Sequence, residues 1–266
     1  MPAISVTCAT LASTIATVQP GATLKLSQDC PSLVSITGKS VAAPGITIDA
    51  TGRTFKGGLK VWDSFGLNFL NGTYRTPADG SVRYAAYVRR GGRISFTGGY
   101  FTGAYIGMFV LDTKGITVRD SKFAYLQSDG IDITGSAGDN GLIENNQFFG
   151  TAPKSGDHPD AVQTWANFGT LTIRNNRIVN PDGTAVKTMG FTTHGDGPPK
   201  RMDVSGNEIH TGYSSGIVNY AASGTVSGNK LWGDGKVRGY IYYTSKVKVC
   251  GNTLVDKTDA NAEKPC

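Results

Sequence analysis

Residues 143–178 read IENNQFFGTAPKSGDHPDAVQTWANFGTLTIRNNRI, a segment that begins and ends on one phrase: apolar, two variable residues, Asn, one variable residue, apolar. IENNQF at 143–148 and IRNNRI at 173–178 are two copies of it, and reading outward finds VRDSKF at 118–123, VSGNEI at 204–209, VSGNKL at 226–231 and VCGNTL at 249–254. Earlier copies are degenerate: FLNGTY at 69–74, FTGGYF at 96–101 and, more weakly, TIDATGRTF at 47–55. The fourth positions, from Gly72 through Gly99, Ser121, Asn146, Asn176, Asn207 and Asn229 to Asn252, are separated by 27, 22, 25, 30, 31, 22 and 23 residues. Between phrases lies a further strand-like run, among them GMFVLD, GIDITG, DAVQTW and TAVKTM.

A repeat of this length is one coil of a parallel β-solenoid. A single coil cannot bury its apolar face, but stacked coils pair their strands at about 4.8 Å and enclose a continuous core. The apolar positions of the phrase then point inward. Asn or Gly at the fourth position suits a left-handed turn, and stacked asparagines can bond from coil to coil, which gives this column a structural role. The ends need covering, because terminal coils expose core and strand edges. Leu11, Ile15 and Val18 are spaced for one face of a short N-terminal capping helix, and the polar tail ending at Cys266 is placed to fold back over the other end.

Composition agrees. The chain has 266 residues, with 36 glycines and 17% charged residues, which describes many turns joining short elements. No apolar run approaches the roughly 18 residues of a membrane span, and MPAISVTC lacks the regions of a signal peptide, as expected of a chain beginning after a removed one. Two cysteine pairs at the ends, Cys8 with Cys30 and Cys250 with Cys266, lack zinc-site spacing; among three connectivities the local one is favoured. Disulfides imply a secreted or periplasmic protein. The net charge of +6 and pI near 9.1 suit an anionic partner. The basic residues are dispersed without a nucleic-acid motif, so an acidic polysaccharide is expected rather than nucleic acid.

These features resemble the pectate-lyase-like superfamily of right-handed parallel β-helices. The resemblance rests on the coil period, the asparagine column from Asn146 to Asn252 and the N-terminal helical segment. It covers nearly the whole chain and is specific for fold rather than activity. It implies right-handedness for the all-β, single-domain parallel β-helix read over 1–266, with cap regions at 1–30 and 250–266; a monomer is expected.

Aligning the runs on their apolar positions, Ile131/Ile133, Val162/Thr164 and Val186/Thr188, gives an outward column Asp132, Gln163, Lys187 and a second column Asp129, Asp160, Thr184. Arg89, Trp165 and Tyr220 flank them, as a groove for a sugar chain requires: aromatic faces stack on sugar rings and cations bind uronate carboxylates. The longest coils carry insertions here, 151–160 and 190–200, with His158 and His194 in them.

The expected activity is β-elimination of a uronate-containing polysaccharide. Lys187 is the candidate base or charge neutraliser, with a salt bridge to Asp132 or Asp160 as its plain structural alternative, and His158 the proton-transfer partner. Asp132 and Asp160 complete the catalytic set, and Gln163, Trp165, Asp129, Arg89 and Tyr220 are candidate substrate contacts. Related β-helix lyases hold calcium with acidic residues, which makes Asp129, Asp132, Asp157 and Asp160 candidate Ca²⁺ ligands. The alternatives are hydrolysis by paired carboxylates of the polygalacturonase type, whose GHG triplet and downstream RxK are missing here, epimerisation of a polymeric uronate, and a non-catalytic carbohydrate-binding solenoid.

Overall fold

The structure is a computed structural model, which describes residues 2–77, 80–135, 140–154, 157, 159–167, 169–193, 197–213, 215–233, 240–255 and 263–266. The chain winds through three sheets in turn, here A, B and C. One coil runs Lys114–Arg119 in sheet A, Lys122–Ala124 in sheet B and Ile131–Gly135 in sheet C, and returns to sheet A at Gly141–Glu144. Among the described residues the sheets hold eleven, nine and nine strands, each paired in parallel with its counterpart one coil away.

Register follows the repeat. The first apolar positions of the phrases stack in sheet A as Phe69, Phe96, Val118, Ile143, Ile173, Val204, Val226 and Val249. The sixth positions stack in sheet B from Tyr74 to Leu254. Within the solenoid, Phe55, Tyr74, Phe101, Phe123 and Phe148 form a ring stack with successive centroids 4.6–5.0 Å apart. Offset stacking at this spacing adds to the burial energy of each ring.

The asparagines form the expected ladder. Asn146 N–H donates to Asn176 Oδ1 at 2.9 Å, Asn176 N–H to Asn207 at 2.8 Å, Asn207 N–H to Asn229 at 3.0 Å and Asn229 N–H to Asn252 at 3.0 Å. Their side-chain amides bond backbone carbonyls of their own and the preceding coil, for example Asn176 Nδ2 to Ile143 O and Arg174 O, both at 3.0 Å. The left-handed residue, however, is the one before the ladder position: Asn145 and Asn175 have φ of 55° and 57°, and Gly206, Gly228 and Gly251 lie at 61–64°. The turn and the ladder are thus separate demands on adjacent residues.

At the ends, disulfides join Cys8 to Cys30 and Cys250 to Cys266, the local pairing. The short helix Leu11–Ile15 buries Leu11 and Ile15 in the core, with Val18 packed against it. Residues 263–266 lie against the last coil, where Gly251 N–H donates to Lys264 O at 2.6 Å. Among the described residues no helix is long and apolar enough to cross a membrane.

Sheet C positions the site through one inward column of small residues: Ala85, Gly107, Gly130, Ala161, Gly190 and Gly216. A Cβ on Gly130 would meet the Ala161 carbonyl oxygen at 2.5 Å and the Phe148 ring at 2.7 Å, and one on Gly190 would run into the carbonyl oxygen of Gly216. The backbone turns tightly inward at this column. Side chains just before it and two residues after it consequently both face out, bringing Asp129 and Asp160 beside Asp132 and Gln163.

Candidate active site on the outer face of sheet C

The strand Asp160–Ala166 pairs with Ile131–Gly135, setting Asp132 opposite Gln163 and Thr134 opposite Trp165. The next strand in the sheet is Met189–Thr193, whose Thr192 lies opposite Gln163. The expected column Asp132, Gln163, Lys187 is therefore corrected to Asp132, Gln163, Thr192. Val186, aligned above with Ile131 and Val162, instead makes an isolated bridge to Thr211 ahead of sheet C, and Lys187 is exposed beside it. Thr184 leaves the second column for the same reason: its N–H and hydroxyl both bind Asp182 Oδ1, at 3.0 and 2.7 Å, in a turn before the strand. The TAVKTMG run alternates like a strand, yet residues 184–188 only form the approach to one, which begins at Met189.

Asp129 and Asp160 do stand side by side, with the Asp160 N–H donating to Asp129 Oδ1 at 2.8 Å. Asp160 is fully buried; its Oδ1 accepts from Thr192 Oγ1 at 2.5 Å. With the Gln163 amide turned to satisfy both its ends, Nε2 donates to Asp160 Oδ2 at 3.2 Å and the oxygen accepts from the Trp165 indole N–H. Asp132 Oδ1 is buried without a hydrogen-bond partner among the described residues.

Three carboxyl groups this close cannot all ionise. Burial, then the Asp129 charge, pushes Asp132 up to about 7, against the pull of Arg83. Burial holds Asp160 well above the ordinary range, reinforced by Asp129 and Asp132 and opposed by the Thr192 hydrogen bond. Asp132 and Asp160 therefore both take up their protons at a higher pH than ordinary carboxylates do.

Arg83 links this cluster to a cleft of about 560 Å³ on the sheet B side, lined by Arg83, Tyr105, Gln127 and Lys154 among others. Its guanidinium lies 4.2 Å over the Tyr105 ring. Tyr105 hydroxyl donates to Asp157 Oδ1 at 3.2 Å, and Tyr213 hydroxyl donates to the Asp157 carbonyl oxygen at 3.1 Å. Asp157 is thus engaged by the two tyrosines.

Of the other expected contacts, Arg89 shares an outward column with Trp62, Leu111, Thr134 and Trp165. Trp165 and Tyr220 are 40% and 42% exposed on this face, and Tyr220 N–H donates to Thr193 Oγ1 at 2.7 Å. His158 and His194 lie outside the described residues.

Of the four expected calcium ligands, Asp129 Oδ1 accepts from the Asp160 N–H and the Asp160 oxygens accept from Thr192 Oγ1 and Gln163, whereas Asp132 Oδ1 and Asp157 Oδ2 are buried without a hydrogen-bond partner among the described residues; no group of three or more His, Cys, Asp or Glu among those residues is arranged to hold an ion.

Sequence reasoning missed Thr192, Arg83, Tyr105 and Lys154. Thr192 was hidden by the false strand at TAVKTMG. Arg83 immediately precedes the sheet C strand Tyr84–Arg89, so it was visible only once that strand's start was fixed.

No curated protein sequence matches this chain. Among solved structures, an alginate lyase from Paenibacillus sp. str. FPU-7 superposes with a TM-score of 0.52 at 14% identity, over 92% of this chain and 98% of the other. A pectate lyase, Pel9A, superposes with a TM-score of 0.51 at 15% identity, over 94% of this chain and 75% of the other. At such identities the likeness is one of fold. The family model for the right handed beta helix region matches residues 45–194, more than half of the chain. The parallel three-sheet winding, the asparagine ladder and this match lead to one assignment: the chain belongs to the right-handed β-helix family.

Proposed function

We propose that this protein is a polysaccharide lyase that cleaves a uronate-containing polymer by β-elimination on the outer face of sheet C. The observation that carries the reading is the carboxyl cluster of Asp129, Asp132 and Asp160, in which Asp132 and Asp160 hold protons to a higher pH than ordinary carboxylates, set beside the cationic cleft of Arg83 and Lys154. The two similar solved structures are, by their names, an alginate lyase and a pectate lyase, which agrees with it.

In β-elimination the C5–H and C4–O bonds of the uronate break, a C4–C5 double bond forms, and the proton ends on the departing oxygen. The C5 proton is acidic enough only if the adjacent carboxylate is neutralised. Protonated Asp132 is suited to donate a hydrogen bond to that carboxylate, with Arg83 supplying the positive charge. Asp160 and Gln163, bonded to each other, stand beside the donor on the neighbouring strand, while Trp165 and Tyr220 offer faces for neighbouring sugars. Lys154, as a cleft-lining amine, is the described candidate base; Lys187 and His158 keep their expected roles as base and proton-transfer partner for direct test. The two disulfides suit an oxidising compartment, where such polymers are met.

The same raised carboxyl also favours a second reading, a glycoside hydrolase with Asp132 as general acid. Incubation with a panel of uronate polymers, following ultraviolet absorbance of unsaturated ends together with reducing ends, separates the two. A lyase raises both signals and a hydrolase only the second, while silence on every polymer removes both readings. Asp132→Asn is expected to lower kcat about 100-fold or more, and a Lys187→Ala protein of unchanged activity would exclude Lys187 as base.

A further inference from the structure

Three coils N-terminal to the carboxyl cluster, the outer face of sheet C changes character. The column containing Asp132 continues as Phe109, Tyr87 and Lys60, and the column containing Trp165 continues through Thr134 and Leu111 to Arg89 and Trp62. These side chains are half-buried and packed on one another. Tyr87 stands edge-on to Trp62 with centroids 5.4 Å apart and to Phe109 at 5.3 Å. Lys60 Nζ lies 3.3 Å over the Trp62 ring, and the Arg89 guanidinium lies 5.2 Å from its centre on the neighbouring coil. Two donors in the group, Trp62 Nε1 and Arg89 Nε, are buried without an acceptor among the described residues. A buried donor left unpaired is unfavourable, and an incoming acceptor relieves it.

We propose that Lys60, Trp62, Tyr87 and Arg89 form an anionic-sugar subsite that holds the polymer upstream of the carboxyl cluster, with the sugar chain lying along the solenoid axis. The chemistry of the group selects this ligand. Two cations and an indole N–H want an anion with several acceptor oxygens, and the flat rings between them suit the face of a sugar ring. A uronate residue combines both features. From Lys60 to Asp132 is three coil steps, about 14 Å at 4.8 Å per step, so a polymer laid along the face touches both sites only when it is several sugars long. The inference deepens the proposed function, because it gives that site a chain-length requirement and a direction.

The test measures binding and turnover separately, on the whole protein, using polyuronate, a size series of its oligosaccharides and a neutral polysaccharide. The variants are Trp62→Ala and the double substitution Lys60→Gln, Arg89→Gln, whose side chains lie on the outer face and leave the core intact. The expected result is a loss of polyuronate affinity of about tenfold or more, growing with oligosaccharide length, together with weak binding of the neutral polymer by the wild type. If the wild type binds polyuronate but cleaves nothing, and the variants lose that binding, the subsite stands while the lyase reading falls. If cleavage occurs and the variants bind long chains as tightly as the wild type, the subsite falls while the lyase reading stands. A wild type that binds no uronate polymer overturns the subsite.

Discussion

Burial and the neighbouring Asp129 charge keep a proton on Asp132 up to about 7, far above the ordinary carboxylate value of 3.8. Between those two values the folded chain holds a proton that the unfolded chain has released, so stability falls as pH rises through this window. The contribution is fully present below about 3.8 and gone above about 7. Urea unfolding at pH 5 and pH 8 should therefore show the wild type weaker at the higher pH, and Asp132→Asn should shrink that difference by roughly 1 kcal/mol or more. An unchanged difference in the variant would mean that another group titrates. The same proton bears on catalysis: if protonated Asp132 is the working form, kcat falls as pH rises past about 7, whereas a carboxylate base would give the opposite limb.

On the scale of the strand and its turn, the asparagine ladder and the small-residue column do different things. Asn176 is 1% exposed and fills its amide with bonds to Ile143 O, Arg174 O and Asn207, while its Oδ1 accepts from Asn146. Asn176→Ala leaves several buried groups unpaired in two coils at once and should cost about 2–4 kcal/mol in chemical denaturation. A loss under about 0.5 kcal/mol would show that the ladder is ornamental. The small column instead sets direction. With Gly130 closed against Phe148 and the Ala161 carbonyl, the flanking Asp129 and Asp132 side chains are forced to the same outer face.

Across the whole molecule, neighbouring coils share most of their contacts, so stability is a sum over coil interfaces and the two ends are its weak points. The disulfides close loops of sequence separation 22 and 16 at those ends. Each is worth about 3 kcal/mol in the chain-entropy account. Under reductant, hydrogen exchange should lose protection first in the strands Ile4–Val6 and Thr253–Leu254, with the central coils retaining theirs. Uniform loss along the solenoid would indicate a single cooperative unit in place of separable coils.

The sequence alone determined the coil, the asparagine ladder, the inward stacks of the repeated phrase and the local disulfide pairs. Each depends on residues close in sequence or recurring at a fixed interval, where one chemical demand leaves one visible trace. Asp129 beside Asp160, and Asp132 beside Gln163, were legible for the same reason, since their two strands carry the same pattern. Only the tertiary structure decided that Thr192 and not Lys187 completes the column, because the turn at Asp182–Thr184 consumes residues that alternate like a strand. It also decided that Arg83 and Tyr105 border the cluster. Their proximity comes from the register of coils and the tight inward bend at Gly107 and Gly130, and a backbone set by contacts with other coils leaves no periodic mark in the chain itself.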